Sequence, residues 1–323
     1  MYRKLVLAAA ACCLALGAFA QKTSWKTEEI YIRDPFVLVD QEHGCYYLYR
    51  SAYRDAFGNS DDNIGSVEVF KSTDLQNWEG PETVLNLPPD NWITGKIWAP
   101  EVHKYKGKYY IFATINTDLK WKGSQNMGCD YTFRGTQVFW SKSPEGPFQA
   151  FDRVPYTPQD QMCLDGTFWV EDGQPWMVYC HEWVEAVDGE MVAVKLKKDL
   201  SGTEGRPLRL FCASAAPWVA GDMLVTDGPF LYRTKNGRLL MIWSSIGRDG
   251  YTLGMSESTT GKVTGPWKHP DKTLFTEDGG HGMIFRALDG KLYLTLHAPN
   301  HDDLERAHFF ELEDTGDDLV IKK

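Results

Sequence analysis

The chain has 323 residues, a formal net charge of −10 and an ordinary globular composition, 43% apolar and 24% charged. The acidic balance argues against nucleic acid or an anionic membrane surface as the partner, because both reward clustered Lys and Arg. It suits a neutral substrate handled by acidic side chains. Twelve tryptophans and fifteen tyrosines supply aromatic faces, which fill cores as readily as they bind ligands.

The N-terminus reads as an export signal. Arg3 and Lys4 precede an apolar run from Leu5 to Phe19, and Ala18-Phe19-Ala20 is a small-x-small cleavage site before Gln21. A signal peptide over 1–20 is expected, with 21–323 as the mature chain. The run is short for a membrane span, and no other apolar stretch reaches that length. Five cysteines then remain: Cys45, Cys129, Cys163, Cys180 and Cys212. An odd, widely spaced set is no disulfide framework, so buried free thiols are expected. No His/Cys cluster has zinc spacing.

A unit then recurs along the chain: a short strand, a Gly turn, an aromatic-rich strand and a third strand. Phe36–Val39 is followed by Cys45–Tyr49, Val102–Tyr105 by Tyr109–Phe112, and Thr167–Val170 by Trp176–Tyr179. Phe230–Tyr232 is followed by Leu239–Trp243, and Met283–Phe285 by Leu292–Leu296. Asp172-Gly173, Asn236-Gly237 and Asp289-Gly290 read as two-residue hairpin turns. Third strands fall at 67–70, 137–140, 191–194, 252–255 and 308–310. Taking Asp34, Trp98, Asp165, Asp227 and His281 as repeat starts gives steps of 64, 67, 62 and 54 residues. Five antiparallel units of this period predict an all-β, five-bladed β-propeller filling 21–323 as one domain.

In a propeller the innermost strand of each blade lines the axis, so five repeat starts converge on one mouth. What stands there is polar: Asp34, Asp165, Asp227 and His281, with Glu101 beside Trp98. Folding needs no acid at these places, and several carboxyls in one cavity repel and shift each other's pKa. Catalysis or cation binding is the expectation.

The same residues carry a resemblance. Arg33-Asp34-Pro35-Phe36, Trp98-Ala99-Pro100-Glu101, Leu164-Asp165-Gly166-Thr167, Asp227-Gly228-Pro229 and Gly280-His281-Gly282 resemble, in order and spacing, the blade starts of glycoside hydrolase family 43. The resemblance covers essentially all of 21–323. It implies inverting hydrolysis of α-L-arabinofuranosyl or β-D-xylosyl bonds in an oligo- or polysaccharide. It also implies that no cofactor is required. Asp34 matches the family's general base, and Asp165 the carboxylate that raises the acid's pKa. His281 matches a histidine under the central pocket, often near calcium, and so is a candidate ligand to substrate or metal.

The chain departs from the family at the acid. The family has a Glu where this chain has Asp227, one methylene shorter. Glu182, in His181-Glu182-Trp183, is the other candidate: a two-residue turn at Asp172-Gly173 would pair Asp165 with Cys180. Glu182 would then lie on the same side of the sheet as a diagonal neighbour of Asp165, about 7–8 Å away at Cα. Trp98 and Trp183 are the expected sugar platforms, with Trp218 as a third. Glu101 is expected to pair structurally. The alternative reading is a non-catalytic carbohydrate-binding propeller of the same fold.

Overall fold

The computed structural model describes residues 24–53, 65–301 and 303–322, so the expected signal peptide lies outside the described residues. Five antiparallel sheets follow one another along the chain. Blade one takes Ser24–Asn86, blade two Lys96–Ala150, blade three Cys163–Cys212, blade four Asp227–Phe275 and blade five Gly280–Ile321. Their inner strands are Phe36–Asp40, Lys96–Tyr105, Cys163–Glu171, Asp227–Arg233 and Gly280–Arg286. Each touches the inner strand of the next blade, and that of blade five touches that of blade one. The chain is a five-bladed β-propeller.

Every predicted strand lies inside an observed one. The fourth strands were not anticipated. Several are short or polar, as in Gln149–Ala150 and Thr203–Cys212, so no apolar alternation marks them. The apolar layers lie between blades rather than within them. One joins blades two and three around Phe112, Tyr179 and Leu196. Another joins blades four and five around Ile242, Leu253 and Leu294.

Only one of the three expected two-residue hairpins has that form. Asp172 and Gly173 both have positive φ, and Glu171 pairs with Gln174. At Asn236-Gly237 the Gly237 N–H donates to the Thr234 carbonyl, and the Thr234 N–H donates to the Arg238 carbonyl. Gly290 and Ala287 repeat this with Lys291. These are three-residue loops, with the glycine alone left-handed. All five described cysteines are free; Cys45, Cys163 and Cys180 are buried, Cys129 and Cys212 half-buried.

The ring closes through a buried carboxylate. Ile32 N–H donates to the Glu305 carbonyl, and Tyr31 bridges Arg306. The Glu305 side chain, with no solvent exposure, accepts the Tyr31 hydroxyl at 2.7 Å and the Arg33 guanidinium at 2.6 Å. Removing one partner of such a cluster leaves buried polar groups unpaired. Glu305→Ala is expected to cost about 2–4 kcal/mol, read as a lower denaturation midpoint, with Glu305→Gln losing less. A midpoint unchanged in Glu305→Ala would refute this role.

Candidate active site

The mouth is built from one repeated backbone device. In blades two to five the inner strand slips by one residue against its neighbour: between Trp98 and Glu101, Leu164 and Thr167, Asp227 and Phe230, and Gly280 and Met283. Two residues there oppose one, which is a β-bulge. The first bulged residue is left-handed each time: Ala99 at φ 42°, Asp165 at 54°, Gly228 at 47° and His281 at 48°. Asp34, at φ 53° just before the first inner strand, is the fifth. Left-handed backbone is costly for non-glycine residues and marks positions that the surroundings enforce.

This corrects the repeat starts. The equivalent residues are Asp34, Ala99, Asp165, Gly228 and His281; Trp98 and Asp227 each stand one residue earlier. Gly228 is required, since a Cβ there would meet the His281 ring at 2.6 Å. The bulge also overturns the register expected for blade three. Leu164, not Asp165, opposes Cys180, and Cys163 opposes His181. The diagonal argument for Glu182 therefore fails.

Neighbouring blades latch these bulges. The Asp165 N–H donates to Thr114 Oγ1 at 2.8 Å, the His281 N–H to Ser244 Oγ at 2.8 Å, and the Asp34 N–H to His297 Nδ1 at 3.2 Å. Thr114, Ser244 and His297 are the residues opposite Trp98, Asp227 and Gly280. The corresponding place in blade three is Cys180, a weak acceptor. There Asp165 Oδ2 itself takes the Gly228 N–H, at 3.2 Å, which holds Asp165 against the segment carrying Asp227.

His281 stands at the centre. Its Nδ1 lies 3.1 Å from Asp34 Oδ1 and 3.8 Å from Asp165 Oδ2. Burial opposes a charged imidazole, but Asp34 and Asp165 outweigh it and raise His281 to about 10. Burial would likewise raise Asp34; the charged His281, with Arg33, overcomes this and holds its carboxyl well below the usual range. His297 accepts from the Asp34 N–H at Nδ1, which leaves its proton on Nε2, 3.3 Å from Asn300 Oδ1.

Asp165 goes the other way. Burial and the adjacent Asp227 push its carboxyl well above the usual range. Asp227 is half-buried and takes the Tyr251 hydroxyl at 2.6 Å; the Tyr251 ring stacks on His297. One wall of the mouth is Arg134, whose Nη1 donates to Glu182 Oε2 at 2.6 Å and whose guanidinium lies 4.9 Å from the centre of the Trp98 ring. Burial still moves Glu182 upward, against Arg134 and with Asp227.

Asp34, Asp165, Asp227 and His281 thus meet, with Glu182 and Trp98 linked through Arg134. Trp183 begins a short helix, Trp183–Ala186, and packs with Tyr131 and Trp121 of the long blade-two hairpin. Trp218 is no sugar platform. It is 5% exposed, with its ring 4.6 Å from Trp243 and pressed onto Gly254. Glu101 pairs with His103 at 2.8 Å. The sequence reading missed Arg134, Ser244, Tyr251 and His297. His297 ends a second strand at the mouth, and that place in the repeat was its signal. Among the described residues, Asp165, Asp227 and His281 bring ligand atoms within 4.8 Å of one another. They could hold a largely hydrated cation, since calcium takes six to eight oxygens, though it would compete with the proton on His281.

With this geometry in view, comparison with known proteins is decisive. Residues 29–315 match the glycosyl hydrolases family 43 profile. The chain belongs to that family. This glycoside hydrolase is 38% identical to an endo-arabinase from Bacteroides thetaiotaomicron, covering 89% of this chain and 96% of that one with a TM-score of 0.77. It is 22% identical to the extracellular exo-α-(1→5)-L-arabinofuranosidase ArbA of Cellvibrio japonicus, covering 88% of this chain and 83% of that one. An α-L-arabinofuranosidase from Lactobacillus brevis shares the fold at 18% identity, with a TM-score of 0.71 over 90% of this chain and 93% of that one.

His281 should therefore keep its proton past pH 8 and release it near pH 10. Its folded pKa lies above its ordinary value, so its stabilising contribution is complete below about pH 6.5 and is lost as pH rises toward 10. For Asp34 the sign is opposite: its contribution is present above about pH 4 and is lost as pH falls through its lowered value. Imidazole NMR checks this, with Asp34→Asn shifting the His281 midpoint down. A His281 midpoint near 6.5 would contradict it.

Proposed function

We propose that this hydrolase is exported and cleaves α-L-arabinofuranosyl or β-D-xylosyl linkages of plant polysaccharides by single-step inversion. The supporting observation is the division of charge around His281. One carboxyl, Asp34, is held ionised, while Asp165, beside Asp227, is pushed toward its protonated form. An ionised carboxylate beside a protonated one is what general base and general acid require.

In this reading Asp34 takes a proton from water as its oxygen attacks the anomeric carbon. Asp227, resupplied by Asp165 beside it, gives a proton to the leaving oxygen, and the glycosidic bond breaks with inverted configuration. Asp165 keeps the proton at the pair near neutral pH and positions it through the Gly228 N–H. Exchange with solvent then resets both acids. Asp227 is preferred to Glu182 as the acid because it stands beside Asp165 in the group around His281, whereas the Glu182 carboxylate is held by Arg134 at 2.6 Å. The Glu182–Arg134 pair then shapes the sugar site beside Trp98 and Trp183. Relatives named for arabinan and arabinofuranoside cleavage support the arabinosyl reading. The leader-like first 20 residues and a relative named as extracellular support export. No described helix is long and apolar enough to cross a membrane.

A hydrolysis screen on arabinan, arabinoxylan and aryl glycosides tests this. Asp34→Ala should lose about 10³-fold or more in kcat/KM, on the scale of general base catalysis. Asp227→Asn should lose about 10²–10⁴-fold on substrates with poor leaving groups and far less on activated aryl glycosides, which need no proton. Glu182→Gln should fall on both alike. Should Glu182→Gln instead show the leaving-group dependence, Glu182 is the acid. Wild-type protein that binds glycans without turning them over would return the chain to the sugar-binding alternative.

A further inference from the structure

One buried hydroxyl reaches the acid side of the mouth. Tyr251 lies at the start of the third strand of blade four, Gly250–Ser258, and its hydroxyl donates to Asp227 Oδ2 at 2.6 Å. The residue is 3% exposed. Burial, with Asp227 and Asp34 nearby, keeps its hydroxyl protonated well past the ordinary tyrosine range. It therefore holds a proton to donate throughout the neutral range.

The rest of Tyr251 is wedged between blades four and five. Its N–H donates to Asp278 Oδ1 at 3.2 Å, and its carbonyl accepts the Gly279 N–H at 3.0 Å. Its ring lies on Gly280, where a Cβ would meet a ring carbon at 2.6 Å. The ring also stacks on His297, with centres 5.6 Å apart and planes inclined by 21°. His297 is fully buried and accepts the Asp34 N–H. One packed side chain thus runs from the support of Asp34 to the carboxyl of Asp227.

Asp227 has need of a tether. It stands one residue before the left-handed Gly228, and the Ser244 hydroxyl opposite it takes the His281 N–H instead. Its side chain is one methylene shorter than the family's glutamate, so a wrong rotamer cannot be corrected by reach. Misplacement of about 1 Å can cost about 100-fold in rate.

We propose that Tyr251 is a positioning residue for proton donation, its hydroxyl fixing the Asp227 carboxyl in the rotamer that meets the leaving oxygen. The inference deepens the hydrolase reading and rests on Asp227 being the acid. Tyr251 itself transfers no proton. Donation breaks the Asp227 O–H bond, forms the O–H bond of the leaving group and leaves Asp227 a carboxylate. The Tyr251 hydrogen bond strengthens at that moment, because its acceptor becomes charged.

Tyr251→Phe tests this, since it removes the hydroxyl and keeps the ring on Gly280 and His297. It is assayed beside Asp227→Asn and the double variant. The substrates are an unactivated oligosaccharide and an aryl glycoside with a good leaving group, both of the sugar that wild type cleaves. Tyr251→Phe should lose about 10- to 100-fold in kcat/KM on the oligosaccharide, the scale of a hydrogen bond to a charged group. The loss should fall mainly in kcat and be far smaller on the aryl glycoside. In the Asp227→Asn background it should cost almost nothing more, because residues that act as a unit are not additive. Equal losses on both substrates, or losses that add in the double variant, overturn the role; a tyrosine that only supports the fold gives that pattern. Leaving-group dependence in Asp227→Asn with none in Tyr251→Phe defeats the inference alone. An Asp227→Asn variant without that dependence defeats the acid assignment, and the inference with it.

Discussion

A buried cation organises this site. His281 is enclosed, and its Nδ1 lies within 4 Å of oxygens from two carboxylates on two other blades. In a poorly hydrated cavity a charge is tolerated only with compensating partners. Without His281, Asp34 and Asp165 would face each other uncompensated. With it, Asp34 stays ionised while Asp165 is pushed toward its protonated form. The opposite shifts of Asp34 and Asp165 are therefore one electrostatic fact seen from two sides.

Placing these groups is the work of the bulges. Left-handed residues recur at the equivalent place in all five blades, and three of them, Asp34, Asp165 and His281, bring their side chains together. Strain of this kind persists only where neighbours enforce it, and here the enforcing bonds cross between blades. Thr114, Ser244 and His297 each hold the bulge of the following blade. The blade packing that stabilises the propeller thus also fixes the distances between the carboxyls and the imidazole. Blade three lacks a good acceptor at Cys180, and Asp165 fills the gap with its own carboxylate.

Much of this was legible in the sequence, because a propeller writes its repeat into the chain. Strand, turn and aromatic strand recur five times, and polar residues at the starts have no folding purpose there. What escaped was finer than a repeat. Bulges leave the apolar alternation almost intact, so Asp227 and Gly228 could not be told apart as the equivalent of Asp165. The same slip undid the pairing that placed Glu182 near Asp165. Trp218 read as a sugar platform because aromatic residues serve cores and ligands alike. His297 sits near the end of a second strand and Tyr251 at the start of a third, places that carry no motif but are fixed by the same blade geometry.

The account stands on His281 keeping Asp34 ionised. Its most direct test is the pH dependence of kcat/KM in wild type and in His281→Gln. The wild-type acid limb should lie below about pH 4, where an unperturbed aspartate titrates. Removing the cation should move that limb upward by about one pH unit or more. An acid limb that stays in place would mean that Asp34 owes its charge to something else, and the central arrangement described here would be wrong.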